Sequence, residues 1–121
     1  SEGAQYYPGL ITKPTDIEIK KGIHTKVEAI SAFGSDKEDT GLYDKLDSLK
    51  IRNVYCVGLC YDSTVGYTAE DAAQEGWDAY IIKDATESFD PDDEVFMNER
   101  LTEFGLIYQM ILYCYFWWHQ K

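Results

Sequence analysis

Two nucleophilic side chains, Cys60 and Thr64, lie four residues apart in one short segment of this 121-residue chain. The segment, residues 58–72, reads GLCYDSTVGYTAEDA, which predicts the end of a buried strand, a sharp turn and a helix rich in small residues. A threonine hydroxyl is a much weaker nucleophile than a cysteine thiolate unless a strong base lies beside it. Thr64 is internal and has no amine of its own, so it would need a base from elsewhere in the fold.

Metal chemistry has little support in the residue pattern. Cys56 and Cys60 are four residues apart, but no second Cys or His pair completes a zinc site. Cys56 falls in an apolar run and is expected to be a small core residue. His24 falls in a loop, where a solvated or hydrogen-bonded side chain is expected. We therefore predict that this chain alone holds no metal and no other cofactor.

Residues 58–72 closely resemble the nucleophile loop of the nicotinamidases and isochorismatase-like hydrolases, G-L-A-x-D-x-C-V-x-x-T-A-x-D-A. Thr64 occupies the position of that family's catalytic cysteine. Three other stretches resemble the same enzymes in the same order: residues 21–33 match K-G-x-x-T-x-x-E-x-x-S-A-F, residues 40–46 match a T-G-L…L helix, and residues 84–86 match a D-A-T/C turn. The resemblance runs over about residues 1–105, which we interpret as the C-terminal half of such a domain.

The resemblance implies amide hydrolysis, of nicotinamide to nicotinate and ammonia. In such enzymes a cysteine thiolate attacks the amide carbon, an aspartate acts as general base and acid, and a lysine lowers the pKa of the cysteine. Lys21 occupies the place of that lysine. The oxyanion hole would be formed by the backbone N–H groups of Cys60 and Thr64. The family also has a non-proline cis peptide bond before this turn, and Leu59–Cys60 is the matching bond.

Three parts of the family's site have no match in this chain. Thr64 replaces the cysteine, and the first-strand motif D-x-Q-x-D-F that carries the aspartate is absent. Neither His24 nor His119 corresponds to the family's ligands for a divalent metal, usually zinc, so that metal would need ligands from the missing half. Cys60 lies at the oxyanion turn rather than at the nucleophile position. Without the other groups, Lys21 is equally well an ordinary lysine at a strand end.

Helices and strands alternate along the chain. Residues 17–19 alternate apolar and charged side chains and predict a short strand. Thr40 is a good N-cap, and the spacing of Leu42, Leu46 and Leu49 predicts a helix to about residue 50. The continuous apolar run 54–59 is typical of a parallel strand buried on both faces.

The pattern continues beyond the turn. Small residues on one side predict a helix that ends at Gly76, and residues 79–82 predict the next strand. Asp90 and Pro91 predict the start of another helix, which ends at Gly105. The buried stripe of that helix is predicted to consist of Met97, Leu101 and Phe104. Residues 106–116 are a candidate last strand.

This alternation predicts an α/β fold, a parallel sheet with helices on both faces in an isochorismatase-like, Rossmann-like three-layer arrangement. The family's strand order, 3-2-1-4-5-6, implies that this chain supplies strands 3 to 6 and lacks the two central ones. Such a sheet would expose apolar edges that favour pairing with another chain. We therefore expect the fold to be incomplete without a protein partner that supplies the N-terminal strands, or without a second copy.

The apolar, aromatic tail at residues 106–121 stands apart from the 1–105 region. Its thirteen-residue apolar run is too short to span a bilayer as a helix. A last strand with an aromatic plug, a patch that docks a partner and a membrane-interface anchor are all open interpretations. The acidic chain lacks the basic face that such anchors use, so a membrane role is disfavoured.

The amino-acid composition limits the kinds of binding partner and the cellular location that we expect. The chain has 22 acidic and 11 basic residues and a net charge of −11, which disfavours nucleic-acid binding. Three cysteines without a disulfide pattern and no apolar leader predict a cytoplasmic location, although the lack of an initial Met suggests trimming.

Three functions fit these observations. We favour a nicotinamidase-like half-domain that has lost catalysis and serves as an interaction or structural component of an assembly. The alternatives are one chain of a split nicotinamidase and a binder of a nicotinamide-type small molecule.

Overall fold

The structure, a computed structural model, describes residues 5–103 and the backbone of residues 107–109. A small antiparallel hairpin comes first, and helices then alternate with parallel strands, as the sequence pattern predicts. In chain order the elements are β1 (Gly34–Ser35), β2 (Glu38–Asp39), α1 (Leu42–Ser48), β3 (Asn53–Leu59), a π-helical turn (Tyr61–Val65), α2 (Gly66–Gln74), β4 (Asp78–Glu87), α3 (Pro91–Glu103) and β5 (Ile107–Gln109).

In the described part of the chain, the main sheet has three parallel strands in the order β3-β4-β5. Val54 lies opposite Ala79, and Tyr80 lies opposite Ile107. The register between β3 and β4 shifts after Cys56, so that Gly58 lies opposite Thr86. Such a bulge redirects the strand beside it. It falls at the carboxyl end of β3, next to the turn that carries the candidate nucleophiles.

One hydrophobic core holds β3, β4, α2 and α3 together. The small residues of α2 let it approach the sheet closely, and Ala69 and Ala72 are fully buried. Gly66 lies so close to Met97 of α3 that a Cβ atom there would overlap the Met97 side chain. Met97 and Leu101 are fully buried, as the apolar stripe predicts, and Phe104, the third residue of that stripe, lies outside the described residues.

Within the described residues, no helix covers the opposite face of the sheet. Tyr55, Val57 and Leu59 are 52%, 53% and 76% exposed, whereas Cys56 between them is buried. The prediction that this strand is buried on both faces is therefore wrong. Helix α2 packs on the Cys56 face, and α3 packs on α2 and the π-helical turn. Within the described residues, helices on both faces are not observed.

Two local predictions fail. Residues 17–19 form no strand, because no neighbouring backbone in the described part of the chain pairs with them. The N-cap of α1 is Gly41, with φ of 79°, and not Thr40. The Thr40 hydroxyl donates a hydrogen bond to the Ala32 carbonyl at 2.7 Å and accepts one from the Leu42 N–H at 3.3 Å. Its shorter bond therefore joins the residues just before α1 to the segment before β1.

The later element predictions are confirmed within a few residues. Asp90 accepts the Asp92 N–H at 2.8 Å and thereby caps α3, which starts at Pro91. Part of the predicted last strand is β5. Gly105, the other residues of that strand and the tail beyond residue 109 lie outside the described residues.

Candidate functional site

The π-helical turn after β3 carries Cys60 and Thr64. The Leu59–Cys60 peptide bond is cis, as the family resemblance implies. The Cys60 carbonyl accepts the N–H groups of Ser63 at 3.2 Å and Val65 at 3.1 Å, which closes the turn around Thr64. Cys60 and Thr64 are both half-buried. The turn therefore places Cys60 and Thr64 at the carboxyl end of a parallel strand, where ligands of open α/β sheets bind.

Within the part of the chain that the structure describes, the Thr64 hydroxyl has no base beside it. Among residues 5–103, none forms a hydrogen bond or an ion pair with its side chain. A hydroxyl nucleophile depends on such a base for its activation. Within the described part of the chain, Thr64 thus lacks the arrangement that would make it reactive.

Lys21 is held by backbone groups in the loop that precedes β1. Its Nζ donates to the carbonyl oxygens of Ala29 and Ile30, both at 2.8 Å. The next two N–H groups, of Gly22 and Ile23, donate to the Glu38 carboxylate at 2.7 and 3.0 Å. These bonds, that of Gly22 foremost, hold the pKa of Glu38 below its ordinary value. Lys21 therefore has a defined position, but no hydrogen bond joins it to Thr64.

The structure brings two of the family-like segments together. The Ala32 N–H donates to the Thr68 hydroxyl at 2.8 Å, which ties residues 21–33 to the start of α2. Phe33 stacks on Trp77, with ring centroids 5.8 Å apart, next to the start of β4. The sequence identified both segments, but nothing in their spacing indicated that Thr68 joins them.

Asp62 is a site residue that the sequence analysis did not single out. Its Oδ2 accepts the N–H groups of Phe89 at 2.9 Å and Asp90 at 2.8 Å, just before α3. Burial alone would raise the pKa of this carboxyl, but these donors and the charge of Lys83 outweigh burial and lower it. The only signal in the sequence was an Asp at a fixed place in the nucleophile-loop motif. Asp62 therefore fixes the position of the turn relative to α3.

Two further charged contacts support the same elements. Lys83 lies 3.5 Å from the centroid of the Tyr61 ring and pairs with Glu94 at 2.6 Å. Arg100 of α3 binds the buried Glu70 of α2 with two hydrogen bonds, and Glu70 raises the pKa of Arg100. Charge-assisted contacts thus stabilise the elements around the turn in addition to apolar packing.

An open cavity of about 420 Å³ lies beside the turn. Its lining combines carboxylates, a thiol, a hydroxyl and aromatic rings: Cys60, Asp62, Ser63, Tyr67, Phe89, Asp93 and Phe96. Polar groups that converge among aromatic rings are typical of small-molecule sites. Neither Lys21 nor Thr64 lines this cavity.

The other chemical candidates are limited. Burial raises the pKa of the Cys56 thiol to about 11, so little thiolate forms at neutral pH and Cys56 serves the core. The described residues contain no group of three or more His, Cys, Asp or Glu side chains placed to hold a metal. The side chains of the described residues therefore do not fit the metal that the family resemblance implies.

No helix in the described part of the chain has the length and apolar character needed to cross a membrane.

Comparison with protein families matches residues 1–109 to the isochorismatase domain. The nicotinamidase of Acinetobacter baylyi is 35% identical over 92 residues, which are 74% of this chain and 43% of that protein. The nicotinamidase/pyrazinamidase of Mycobacterium tuberculosis is 32% identical over 100 residues, 82% of this chain and 53% of that protein. The chain thus spans about half the length of the curated relatives it matches.

Solved structures give the same picture. PnC1 from L. infantum, in complex with nicotinate, has a TM-score of 0.86 at 32% identity over 91% of this chain and 56% of that one. An isochorismatase-like hydrolase from Alkaliphilus metalliredigens has a TM-score of 0.76 at 20% identity, over 97% and 59%. The second likeness concerns the fold alone.

Proposed function

Because this chain belongs to the isochorismatase domain family, we propose that it is a nicotinamidase-like domain that has lost catalysis and acts as an interaction component of an assembly. The observation that carries the proposal is Thr64, which stands at the family's cysteine position with no base bound to its hydroxyl among the described residues. Lys21 is at the position that matches the family's lysine, and its ammonium group donates hydrogen bonds to two backbone carbonyls. Among the described residues, neither group is thus supported by a partner that would make it a strong nucleophile.

Exposed apolar surface supports the interaction role. Besides the open face of β3, large apolar side chains of the N-terminal segment face solvent, among them Ile11, which is 88% exposed, and Ile23, which is 63% exposed. Large exposed apolar patches mark interaction sites in soluble proteins, and Tyr55, Val57 and Leu59 expose apolar side chains in a row along one strand. We propose that a partner chain with the aspartate motif D-x-Q-x-D-F supplies the family's N-terminal strands, or that a second copy covers this surface. The cytoplasmic location stays a prediction.

The native mass of the isolated chain, with every co-purifying protein identified, tests the interaction role. We expect a mass above that of one chain. A monodisperse monomer at micromolar concentration would contradict it.

Nicotinamide hydrolysis tests the loss of catalysis. We expect no ammonia release from nicotinamide by the isolated complex, and release after Thr64→Cys only if the partner brings the aspartate. Ser63→Cys, which adds a thiol one residue away, is the matched control. Release by the natural Thr64 complex would instead establish a split nicotinamidase.

The cavity beside the turn favours one alternative, the binding of a nicotinamide-type small molecule. Its volume of about 420 Å³ and its aromatic rings suit a planar heterocycle. Titration of nicotinamide into the complex, followed by calorimetry, tests this function. Phe89→Ala should weaken binding, and Phe33→Ala, which removes a ring outside the cavity, should not.

A further inference from the structure

The lining of the cavity beside the turn carries charge of one sign, and the interaction role proposed above does not use it. Among its described residues, Asp62 and Asp93 are acidic, and none is a lysine, an arginine or a histidine. Three others supply aromatic rings: Tyr67, Phe89 and Phe96. A cleft lined by charge of one sign concentrates ligands of the opposite sign. The cavity therefore favours a cationic ligand with an apolar part.

The Asp62 carboxylate has one oxygen whose hydrogen-bonding capacity is unused. Asp62 is only 9% exposed, and its Oδ2 accepts the two N–H groups described above. Its Oδ1 is buried and accepts no hydrogen bond from any other residue in the described part of the chain. The lowered pKa of Asp62 keeps the group charged at neutral pH. A buried charged acceptor without a donor costs free energy, and a ligand that donates an N–H would recover it.

Two of the aromatic rings in the lining are exposed. Phe89 is 88% exposed and Phe96 is 53% exposed. The face of an aromatic ring carries partial negative charge and attracts organic cations. The same attraction occurs inside this fold, where the Lys83 Nζ lies 3.5 Å from the centroid of the Tyr61 ring. Rings beside carboxylates thus suit an ammonium group that is attached to an apolar body.

The positive groups near the cavity each have an acidic partner of their own. Lys83 pairs with Glu94 at 2.6 Å. The guanidinium carbon of Arg100 lies 5.3 Å from the centroid of the Tyr67 ring, but Arg100 binds Glu70 with two hydrogen bonds. Neither cation therefore cancels the charge of the carboxylates in the lining.

We infer that this cavity binds a small protonated primary amine with an apolar or aromatic body. The ammonium group donates to Asp62 and is attracted by Asp93, while the body lies against Phe89 and Phe96. The volume of about 420 Å³ lies at the lower end of the ~300–1,000 Å³ that small-molecule sites span, so the amine is small. A metal ion does not fit, because the described residues include no group of three or more His, Cys, Asp or Glu side chains placed to hold one.

The positive charge separates this inference from the alternative function, in which a nicotinamide-type molecule occupies the cavity. Calorimetry of the protein as isolated, at neutral pH and physiological salt, tests it with two probes. Phenethylamine is protonated under these conditions, and 2-phenylethanol has the same ring and chain with a hydroxyl in place of the ammonium group. We expect the amine to bind at least about tenfold more tightly, the size of one hydrogen bond to a charged group. Equal affinities, or no binding of the amine, would overturn the inference.

A matched pair of variants tests whether the cavity itself binds the amine. Asp93→Asn removes a charge from the lining, and Asp92→Asn removes one from the same first turn of α3 outside the cavity. Both side chains are exposed, so both variants should fold. We expect Asp93→Asn to weaken phenethylamine binding roughly two- to fivefold, the range for one exposed ion pair, and Asp92→Asn to leave it unchanged. Equal losses would show attraction by the acidic chain as a whole and would overturn the inference.

The Cys60 thiol provides a measurement of where the amine binds, because Cys60 lines the cavity. We expect phenethylamine to slow the alkylation of Cys60 by iodoacetamide, followed by peptide mapping, and 2-phenylethanol at the same concentration not to slow it. An unchanged rate at a saturating concentration of the amine would overturn the inference. None of these results depends on the native mass or on ammonia release, so a failure here is distinguishable from a failure of the proposed function.

Discussion

The two segments that the family resemblance assigns to one site are held in different ways. The turn at residues 60–65 lies on a buried core and is tied to α3 by Asp62 and Lys83. The Lys21 segment, residues 21–30, has no regular secondary structure and is mostly exposed. Hydrogen bonds between its backbone groups and the side chains of Lys21 and Glu38 hold it in place. The turn that carries Thr64 thus packs on the core of the domain, whereas Lys21 depends on a few polar contacts in a loop.

The contrast has a thermodynamic consequence. Changes around the turn should alter the free energy of unfolding of the whole domain, because they disturb the only large core in the described residues. Changes around Lys21 should open one loop and leave the rest folded. Four substitutions test this distinction.

Arg100→Ala should have the largest effect. It leaves Glu70, whose side chain is 4% exposed, buried without its charged partner. Removing one member of a buried pair costs about 3–5 kcal/mol, and we expect the lower end of this range because the Arg100 side chain is 38% exposed. Urea denaturation measures the loss. Arg52→Ala, at an exposed position outside the ion pair, is the control and should change little; an equal loss for both variants would refute the role of Glu70.

Asp62→Asn should destabilise the domain by about 1.5–3 kcal/mol at pH 7, because two N–H groups lose a charged acceptor. The pKa of Asp62 is lowered in the folded protein, so its stabilisation is present above the pKa of an unfolded Asp, near ~4. It is lost as the pH falls through the lowered value. The difference between the two proteins should therefore be largest at neutral pH and shrink below pH ~4. A difference independent of pH between 3 and 7, measured by urea denaturation, would show that the charge of Asp62 is not involved.

Gly66→Ala should destabilise by about 1–3 kcal/mol, because the new Cβ overlaps the fully buried Met97 side chain. A smaller residue at position 97 should recover part of this loss, so the double variant Gly66→Ala with Met97→Val should show a favourable coupling energy. Thermal unfolding of the two single variants and the double variant measures it. Strictly additive effects would place the strain elsewhere.

Glu38→Gln should have the smallest effect, confined to the loop. One of the two N–H donors of Gly22 and Ile23 would lose its acceptor, and their hydrogen exchange should accelerate roughly two- to tenfold, the range for one ordinary hydrogen bond. The melting temperature should not change. Glu28→Gln, an exposed control in the same segment, should leave both quantities unaltered. A clear drop in melting temperature for Glu38→Gln would show that the loop and the core unfold together.

Much of the local structure follows from short-range patterns in the sequence. The apolar run of β3, the small residues of α2 and the Asp90-Pro91 start of α3 each carry their own signal, and all three elements form. Family resemblance also predicted the cis bond at Leu59–Cys60. Residues 17–19 fail because alternation in three residues cannot create a strand unless another backbone pairs with it.

The order of helices and strands after residue 40 and the isochorismatase domain family can both be read from the amino-acid sequence. The covered side of β3, the acceptors of the Lys21 donors and the support of the site by Asp62, Glu70 and Thr68 emerge only when the chain is folded. The two groups of features differ in the range of the interactions behind them. Periodicity and caps act over a few residues, whereas burial and hydrogen bonds between segments more than 25 residues apart, such as Ala32 and Thr68, depend on how the chain comes together.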